Sequence, residues 1–542
     1  MTENIDFLLP VKIALIEGDI QNAESLLKNK TKQIGLGEND VAIVCGKARI
    51  VLDFGKEIQG GMRILTHYID DGAPVKIRFG ESLSEAITPI GVKNATNDHS
   101  LRDFELNLPQ LSDGTYGQTG FRFICLEFKT GKYRIKSVYA KSVTENHEII
   151  GSFCCNDERI NEIYSVSQRT LLLCLQGGMI WDGIKRDRLV WIGDLHPEAL
   201  GLLYTTGAIK NIENCLDFAA KETAPTDWMN GLTAYSFWWI TVLYDYYEFT
   251  ANKEFVLARA DYLEALIAHT ESLIAGDGST NFPSDFLDWP TSGTKDGAEG
   301  VAALCKLACE KAAKLLEIAG KDPTKAKLAA AKLSKRKRAA LTAKQSIAMN
   351  YLAFGKNAEE TGKALTENGA HGLSAFMSYY ILSAIKQTTG GEAAINVMKE
   401  YYGGMLDKGA TSFWEDFDVS WIAESGRIDE LPKEGQKDIH GDYGKYCYTG
   451  FRHSLCHGWS CGAIEFLAEN VLGISVTEAG CKKITISPDL GGLEFAKGTF
   501  PTPYGKVIIS HKRTKKGIIS EITAPKDIEI TAKACIAEIK RV

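Results

Sequence analysis

The segment Trp181–Asp194 carries six charged residues among fourteen, with two tryptophans interleaved. Asp182, Asp187 and Asp194 lie in it, and Arg186 and Arg188 flank Asp187. A second acid-rich segment, Trp414-Glu415-Asp416-Phe417-Asp418, lies more than 200 residues downstream. Two carboxyl groups brought into one pocket can cleave a glycosidic bond. One, kept protonated, gives its proton to the leaving oxygen, and the other attacks the sugar or activates water. Between the two segments, Asp227-Trp228 and Asp288-Trp289 repeat the pairing of an acid with a tryptophan. Sugars present C–H faces to aromatic rings and hydroxyls to carboxylates, so such pairs suit a carbohydrate pocket.

Arginines beside Asp187 can bond carboxylates or sugar hydroxyls bidentately. A guanidinium also favours the ionised form of a neighbouring acid, which opposes a general-acid role unless burial offsets it. A purely structural knot of ion pairs is the competing account of Trp181–Asp194. For Trp238-Trp239, inside a helical run, core filling is expected.

Other chemistries find less support. There is no Walker A loop and no Rossmann glycine fingerprint after a strand. Gly458-Trp-Ser460-Cys-Gly462 matches Gly-x-Ser-x-Gly, but a nucleophile elbow needs a preceding strand, and a helix entry is expected instead. His453 and His457, near Cys456 and Cys461, lack the glutamate of H-E-x-x-H, because Ser454 follows His453 directly. No metal is expected there, and a pocket or structural histidine is.

These segments need elements to hold them. Val41–Val44, Ala48–Asp53, Val75–Phe79 and Phe121–Phe128 read as strands, rich in β-branched and aromatic residues and separated by Gly and Asp. After about Gly151, apolar residues recur at helical spacing in Ile160–Leu175, Ala208–Ala220, Ala234–Tyr247, Glu254–Ile274, Gly300–Ile318, Ile347–Phe354, Leu373–Ile385 and Ile464–Leu472. No fixed-period repeat is present, yet many helices with alternately short and long loops suggest a ring of helical hairpins. All nine tryptophans fall inside this helical block. From about Val476 strands return. The expected organisation is an N-terminal extension (1–35), a β-sandwich (36–150), a helical domain (151–474) and a C-terminal β-domain (475–542).

With 542 residues, 44% hydrophobic and 24% charged, the chain has material for several packed domains. Its net charge of -7 argues against nucleic acid or an anionic membrane as the main partner. Lys332-Leu-Ser-Lys335-Arg336-Lys337-Arg338 reads as a solvated helix face. Thirteen cysteines without a CxxC pair fit reduced thiols. No apolar run reaches the ~18–20 residues of a membrane span, and the start lacks a signal-peptide pattern, so a cytoplasmic location is expected.

The residues Asp182-Gly-Ile-Lys-Arg186-Asp187-Arg188-Leu-Val-Trp191-Ile-Gly193-Asp194 resemble the signature of bacterial α-L-rhamnosidases, glycoside hydrolase family 78. Val51–Gly55 with Gly60-Gly61, Ile77–Glu81 and Gly120–Phe123 are similar to the family's β-sandwich. Ala410–Glu415 resembles the second catalytic loop, and Ser454–Trp459 the helix start after it. Pro488–Gly491, Ala496–Gly498 and Pro501–Gly505 are similar to the C-terminal β-domain. The resemblance implies an (α/α)6 barrel flanked by N-terminal and small C-terminal β-sandwiches. It also implies inverting hydrolysis of terminal α-L-rhamnosides without a cofactor. By position, Asp187 falls on the general acid and Glu415 on the general base. Asp182 and Asp194 fall on acids that bind sugar hydroxyls, Trp191 on an aromatic wall, and His457 on an active-site histidine. Arg186, Arg188, Asp227, Trp228, Asp288, Trp289 and Trp414 complete the expected sugar contacts. The family signature has one more residue between Arg186 and Trp191, and its acid is usually Glu, so Asp187 reaches about one methylene less far. Another sugar, such as a uronic acid, or a weakened carbohydrate-binding homologue remain the alternative expectations. The oligomeric state is left open.

Overall fold

The structure, a computed structural model, describes residues 3–28, 40–337 and 339–542. It contains a seven-stranded N-terminal sheet, a helical middle part and two smaller C-terminal sheets, with fourteen α-helical segments among the described residues.

The N-terminal sheet comprises β1 (Glu3–Leu8), β2 (Lys12–Gln21), β3 (Ala42–Asp70), β4 (Val75–Gly80), β5 (Asp103–Leu106), β6 (Asp113–Phe128) and β7 (Lys132–Glu145). Its order is β1-β7-β3-β6-β4-β5, with β2 also on β3. The two runs read as separate strands, Val41–Val44 and Ala48–Asp53, are parts of the single 29-residue β3. Register shifts between Asp53 and Ile58 let this long strand bend and serve β2, β6 and β7 in turn. The segment read as an N-terminal extension instead supplies β1 and β2 to this sheet, while its residues 29–35 lie outside those described. Neither strand buries a continuous face, so their sequence carries little strand signal.

Helices occupy much of residues 158–471. The first, Glu158–Leu173, starts where the Asp157 side chain accepts the Arg159 and Ile160 amides. Thr233–Thr250 is buried almost all round, which explains its weak amphipathic signal and the core positions of Trp238 and Trp239. The run Glu254–Ile274 breaks into Lys253–Leu257 and Ala260–Ser272. Helices Leu195–Thr205 and Gly391–Asp407 have no counterpart in the periodicity reading. The first is buried at every position, and the second carries three glycines that weaken helix propensity. The basic run near Lys332 is not simply solvated: Lys332 pairs with Glu271 and Arg336 with Glu299, tying neighbouring segments together. Arg338 lies outside the described residues.

Strands at 495–502, 505–514, 517–524 and 536–541 form a sheet completed by β8 (Ser152–Cys155), which pairs with Phe495–Thr502. The C-terminal β-unit thus takes a strand from the start of the helical part, and one continuous apolar core runs through both. The N-terminal sheet has a separate core. Between the two lies a largely polar seam. There Arg122 bonds Asp53, Asp429 and the Gly409 carbonyl, and the Gly120 amide donates to the Ile184 carbonyl at 2.9 Å. None of the cysteines pairs among the described residues. No described helix is long and apolar enough to cross a membrane.

Gly120 sits directly under the acid-rich loop. A Cβ there would lie 2.7 Å from the Ile184 side chain and 3.0 Å from the Lys185 amide nitrogen. Gly120→Ala is therefore expected to lower the urea midpoint by an amount equivalent to ~1–3 kcal/mol, the usual cost of overpacking. An unchanged midpoint would show that the seam yields freely.

Candidate active site

Three loops converge above the helical part. The first, 181–194, leaves a short hairpin (Leu175–Gln176 with Met179–Ile180) and runs into helix Leu195–Thr205. It turns sharply because Asp187 (φ +52°) and Arg188 (φ +55°) are both left-handed. That conformation is costly for non-glycine residues, and a consecutive pair marks a backbone held by its surroundings. The second loop, 410–418, comes after helix Gly391–Asp407. The third, 447–459, locks onto both: Gly183 and His457 form a β-bridge, and the Glu415 amide donates to the Ser454 carbonyl at 3.0 Å.

Arg186 sits at the centre. Its Nη1 lies 3.0 Å from Asp187 Oδ1, its Nη2 donates to Glu415 Oε1, and its Nε donates to the Arg452 carbonyl at 2.8 Å. Burial opposes the guanidinium charge, but Glu415 and Asp187 outweigh it and hold Arg186 more firmly protonated than usual. One side chain thus carries both acids singled out as the catalytic pair. Asp187 keeps 20% of its side chain exposed, and His99 of the N-terminal unit approaches its Oδ1 at 3.6 Å.

Glu415 is nearly inaccessible. Its Oε2 accepts the Ser454 amide at 3.1 Å, and its Oε1 also faces His457 Nε2 at 3.1 Å. Burial pushes its carboxyl above the usual range, and Arg186 and the Ser454 amide oppose that. His457 Nδ1 donates to the Asp182 carbonyl, which leaves Nε2 of the neutral ring facing Glu415 without a proton of its own. The same Nε2 is 3.8 Å from Asp194 and 4.0 Å from Asp182. Burial and the nearby Arg186 push His457 well below its normal range. Burial and mutual repulsion raise Asp182 well above the usual carboxylate range. For Asp194, burial raises the carboxyl while the Tyr235 hydroxyl, donating at 3.2 Å, opposes it. Asp182 also accepts the Leu189 amide at 2.9 Å, closing the loop on itself.

These groups line a cavity of about 370 Å³ with Trp191, Trp289, Tyr235, Tyr448 and Trp459. Of the expected residues, Asp182, Arg186, Asp187, Trp191, Asp194, Trp289, Glu415 and His457 meet there. Five do not line it. Arg188 turns away, its guanidinium 4.6 Å from the Trp181 ring centroid. Asp227 is exposed, and Trp228 packs on Phe237, Phe282 and His269. Trp414 is a core residue against Phe417. Asp288 is a cap: it accepts the Trp289 amide at 2.7 Å and the Ser374 hydroxyl, and so aims Trp289. Adjacency to an acid did not distinguish a pocket tryptophan from a packed one. Tyr235 and Tyr448 were missed because a tyrosine in a helical run or a loop carries no signal of its own. Trp459 was legible only as a neighbour of His457, on which it stacks at 4.5 Å.

Ser460 donates to the Trp414 carbonyl at 2.5 Å within the turn Gly458–Cys461, a structural role. Glu81, Glu85 and His440 cluster closely enough to hold a cation, but the Lys185 ammonium lies among them, 2.9 Å from Glu81 and 3.3 Å from Glu85.

The chain matches two protein-family models. Residues 148–345 match the bacterial alpha-L-rhamnosidase 6 hairpin glycosidase domain, and residues 473–535 match the bacterial alpha-L-rhamnosidase C-terminal domain. Among solved structures, the GH78 family rhamnosidase of Bacillus sp. GL1 superposes with a TM-score of 0.74 at 20% identity, covering 96% of this chain and 56% of that one. A rhamnose-bound rhamnosidase from Klebsiella oxytoca gives 0.69 at 19% identity, covering 86% and 96%. The Streptomyces avermitilis α-L-rhamnosidase complexed with L-rhamnose gives 0.70 at 17%, covering 89% and 48%. The chain spans little more than half the length of the Bacillus structure. No curated protein matches it. These domains are those of a glycoside hydrolase. Residues 148–345 and 473–535 are thus matched to bacterial α-L-rhamnosidase domains, and the chain shares the fold of the solved family 78 rhamnosidase.

Asp288 yields a stability test. Burial raises its carboxyl to about 6 in the folded chain. A group raised on folding contributes fully below its unfolded value and loses that contribution as pH rises through about 6. Asp288→Asn should therefore gain on the wild type by roughly 2–3 kcal/mol between pH 4 and pH 8. Urea titrations at both pH values measure this, and a pH-independent difference would refute the assignment.

Proposed function

We propose that this chain is an inverting glycoside hydrolase that releases terminal α-L-rhamnose. In this reading the helices over 158–471 form an (α/α)6 barrel, flanked by an N-terminal β-sandwich and a small C-terminal one. The observation that carries the reading is the Arg186 guanidinium held between Asp187 and Glu415 inside a cavity walled by Trp191, Trp289 and Trp459. A guanidinium between two carboxyls keeps them out of direct contact. An inverting pair, ~6.5–9.5 Å apart, needs such a gap because water must enter between base and sugar.

Asp187, the more exposed of the two, protonates the leaving oxygen at the cavity mouth. Glu415, oriented by Arg186 and the Ser454 amide, takes a proton from the attacking water. Asp182 and Asp194 receive sugar hydroxyls on the cavity floor. The indole faces stack on the apolar side of the ring, as an apolar 6-methyl group would favour. Arg186 has its charge matched by two acids, and Arg452 pairs with Asp98 at 3.3 Å. Neither is a free cation for a uronate, which favours a neutral sugar.

An aryl α-L-rhamnoside tests the reading through aglycone release. Asp187→Asn and Glu415→Gln are each expected to lower kcat by ~10²–10⁴-fold, the range of general acid–base catalysis. NMR should show the β-anomer of rhamnose first. Activity retained in both variants would refute the pair, and α-anomer first would refute inversion. Arg186 opposes the burial that raises Glu415. Arg186→Met should raise that carboxyl further, so the acidic limb of the kcat/KM–pH profile should move to higher pH, and an unmoved limb would show that Glu415 is not the base.

A further inference from the structure

We infer that Glu81, on the N-terminal β-unit, is a positioning residue for the base Glu415, so that this unit completes the catalytic apparatus. The inference rests on the reading of Glu415 given above. Glu81 directly succeeds β4 and is fully buried. Its Oε2 accepts the Leu455 amide at 2.6 Å and lies 2.9 Å from Lys185 Nζ, and its Oε1 accepts the Ser454 hydroxyl at 3.2 Å. Ser454 in turn contacts the base twice: its amide donates to Glu415 Oε2, and its carbonyl accepts the Glu415 amide. Only one residue, Ser454, separates the Glu81 carboxylate from the reacting carboxylate.

The surrounding contacts show that this is a built clamp. Lys185, next to Arg186, donates to the Phe451 carbonyl at 3.0 Å and to the His453 carbonyl. Glu85 supports Glu81 by accepting its amide at 2.8 Å and lies 3.3 Å from Lys185 Nζ. Ser82 bonds His440 Nδ1 at 2.7 Å, and His440 Nε2 lies 2.8 Å from the His453 carbonyl. Through Glu81 the β-unit therefore grips the third loop at Ser454 and Leu455 and the first loop at Lys185, while Lys185 and His440, which it holds, fix the Phe451 and His453 carbonyls. Two fully buried carboxylates opposite one ammonium are costly to assemble, and hydrogen bonds to backbone amides offset that only when the geometry is kept. The third loop is thereby fixed in place. Because a displacement of about 1 Å at a catalytic group can cost ~100-fold in rate, loosening this clamp should be read at the base.

Glu81→Gln removes the charge facing Lys185 and leaves one acceptor oxygen, which cannot serve both the Leu455 amide with Lys185 and the Ser454 hydroxyl. With the aryl α-L-rhamnoside it is expected to lower kcat by ~10–100-fold while KM stays within about threefold, since the cavity walls are untouched. In a Glu415→Gln background the same change should add less than about twofold, because residues acting as one unit are non-additive. Ser454→Ala, which removes the hydroxyl's bonds to Glu81 and to the Cys456 backbone but keeps the Glu81 charge, is the milder variant should Glu81→Gln fail to fold, and it should lower kcat several-fold. Hydrogen exchange of the 451–457 amides should speed up at least ~10-fold in either variant, a readout that requires no activity. Unchanged exchange, an unchanged kcat, or full additivity with Glu415→Gln would overturn the positioning role. A wild-type chain that releases no aglycone would instead refute the proposed function, and exchange alone would then decide whether Glu81 holds the loop.

Discussion

One buried guanidinium organises this site. Arg186 lies between its neighbour Asp187 and Glu415, 229 residues downstream of it, and its charge offsets the cost of burying them. Without a cation there, Glu415, Asp182 and Asp194 would crowd one low-dielectric space with nothing to counter their repulsion. The same interaction sets geometry. A planar donor fork fixes direction as well as distance, which a lysine ammonium would not. The three-loop arrangement, the left-handed pair Asp187-Arg188 and the His457 contact to three acids are all arranged around that fork.

The site also depends on where apolar cores end. The helical part and the C-terminal strands share one core, whereas the N-terminal sheet has its own. The seam between them is left to polar groups, and its hydrogen bonds can grip loop backbone in a way that an apolar contact cannot. Glu81, Glu85, Lys185 and His440 occupy this seam directly behind the cavity loops. A directional, low-dielectric network is a poor source of net stability and a good source of position.

Much of the fold was legible because burial leaves periodic marks. β4, β6 and the amphipathic helices such as Glu158–Leu173 and Lys295–Ala319 were readable from spacing. Legibility failed where an element buries either no face or every face. β1 and β2 pair at the sheet edge with exposed side chains, and Leu195–Thr205 is buried all round. In the site, Asp182, Asp187, Asp194, Glu415 and His457 stood out as charge embedded among aromatics. Asp227, Trp228, Asp288 and Trp414 carried the same local pattern, yet capping, packing or exposure claimed them instead. An acid next to a tryptophan looks alike in sequence whether its carboxylate points inward or caps a turn.

The sequence by itself determined which chemistry was available: two acid-rich loops, arginines beside one of them, and helices long enough to frame both. Residue type and spacing suffice for that, because ionisation and periodicity are local properties. Only the tertiary structure decided which acids share a cavity, that Arg186 couples Asp187 to Glu415, and that Glu81, from a separate sheet, stands behind Glu415. Those outcomes rest on contacts between residues far apart in the chain, and no local pattern records which distant partner will neutralise a buried charge.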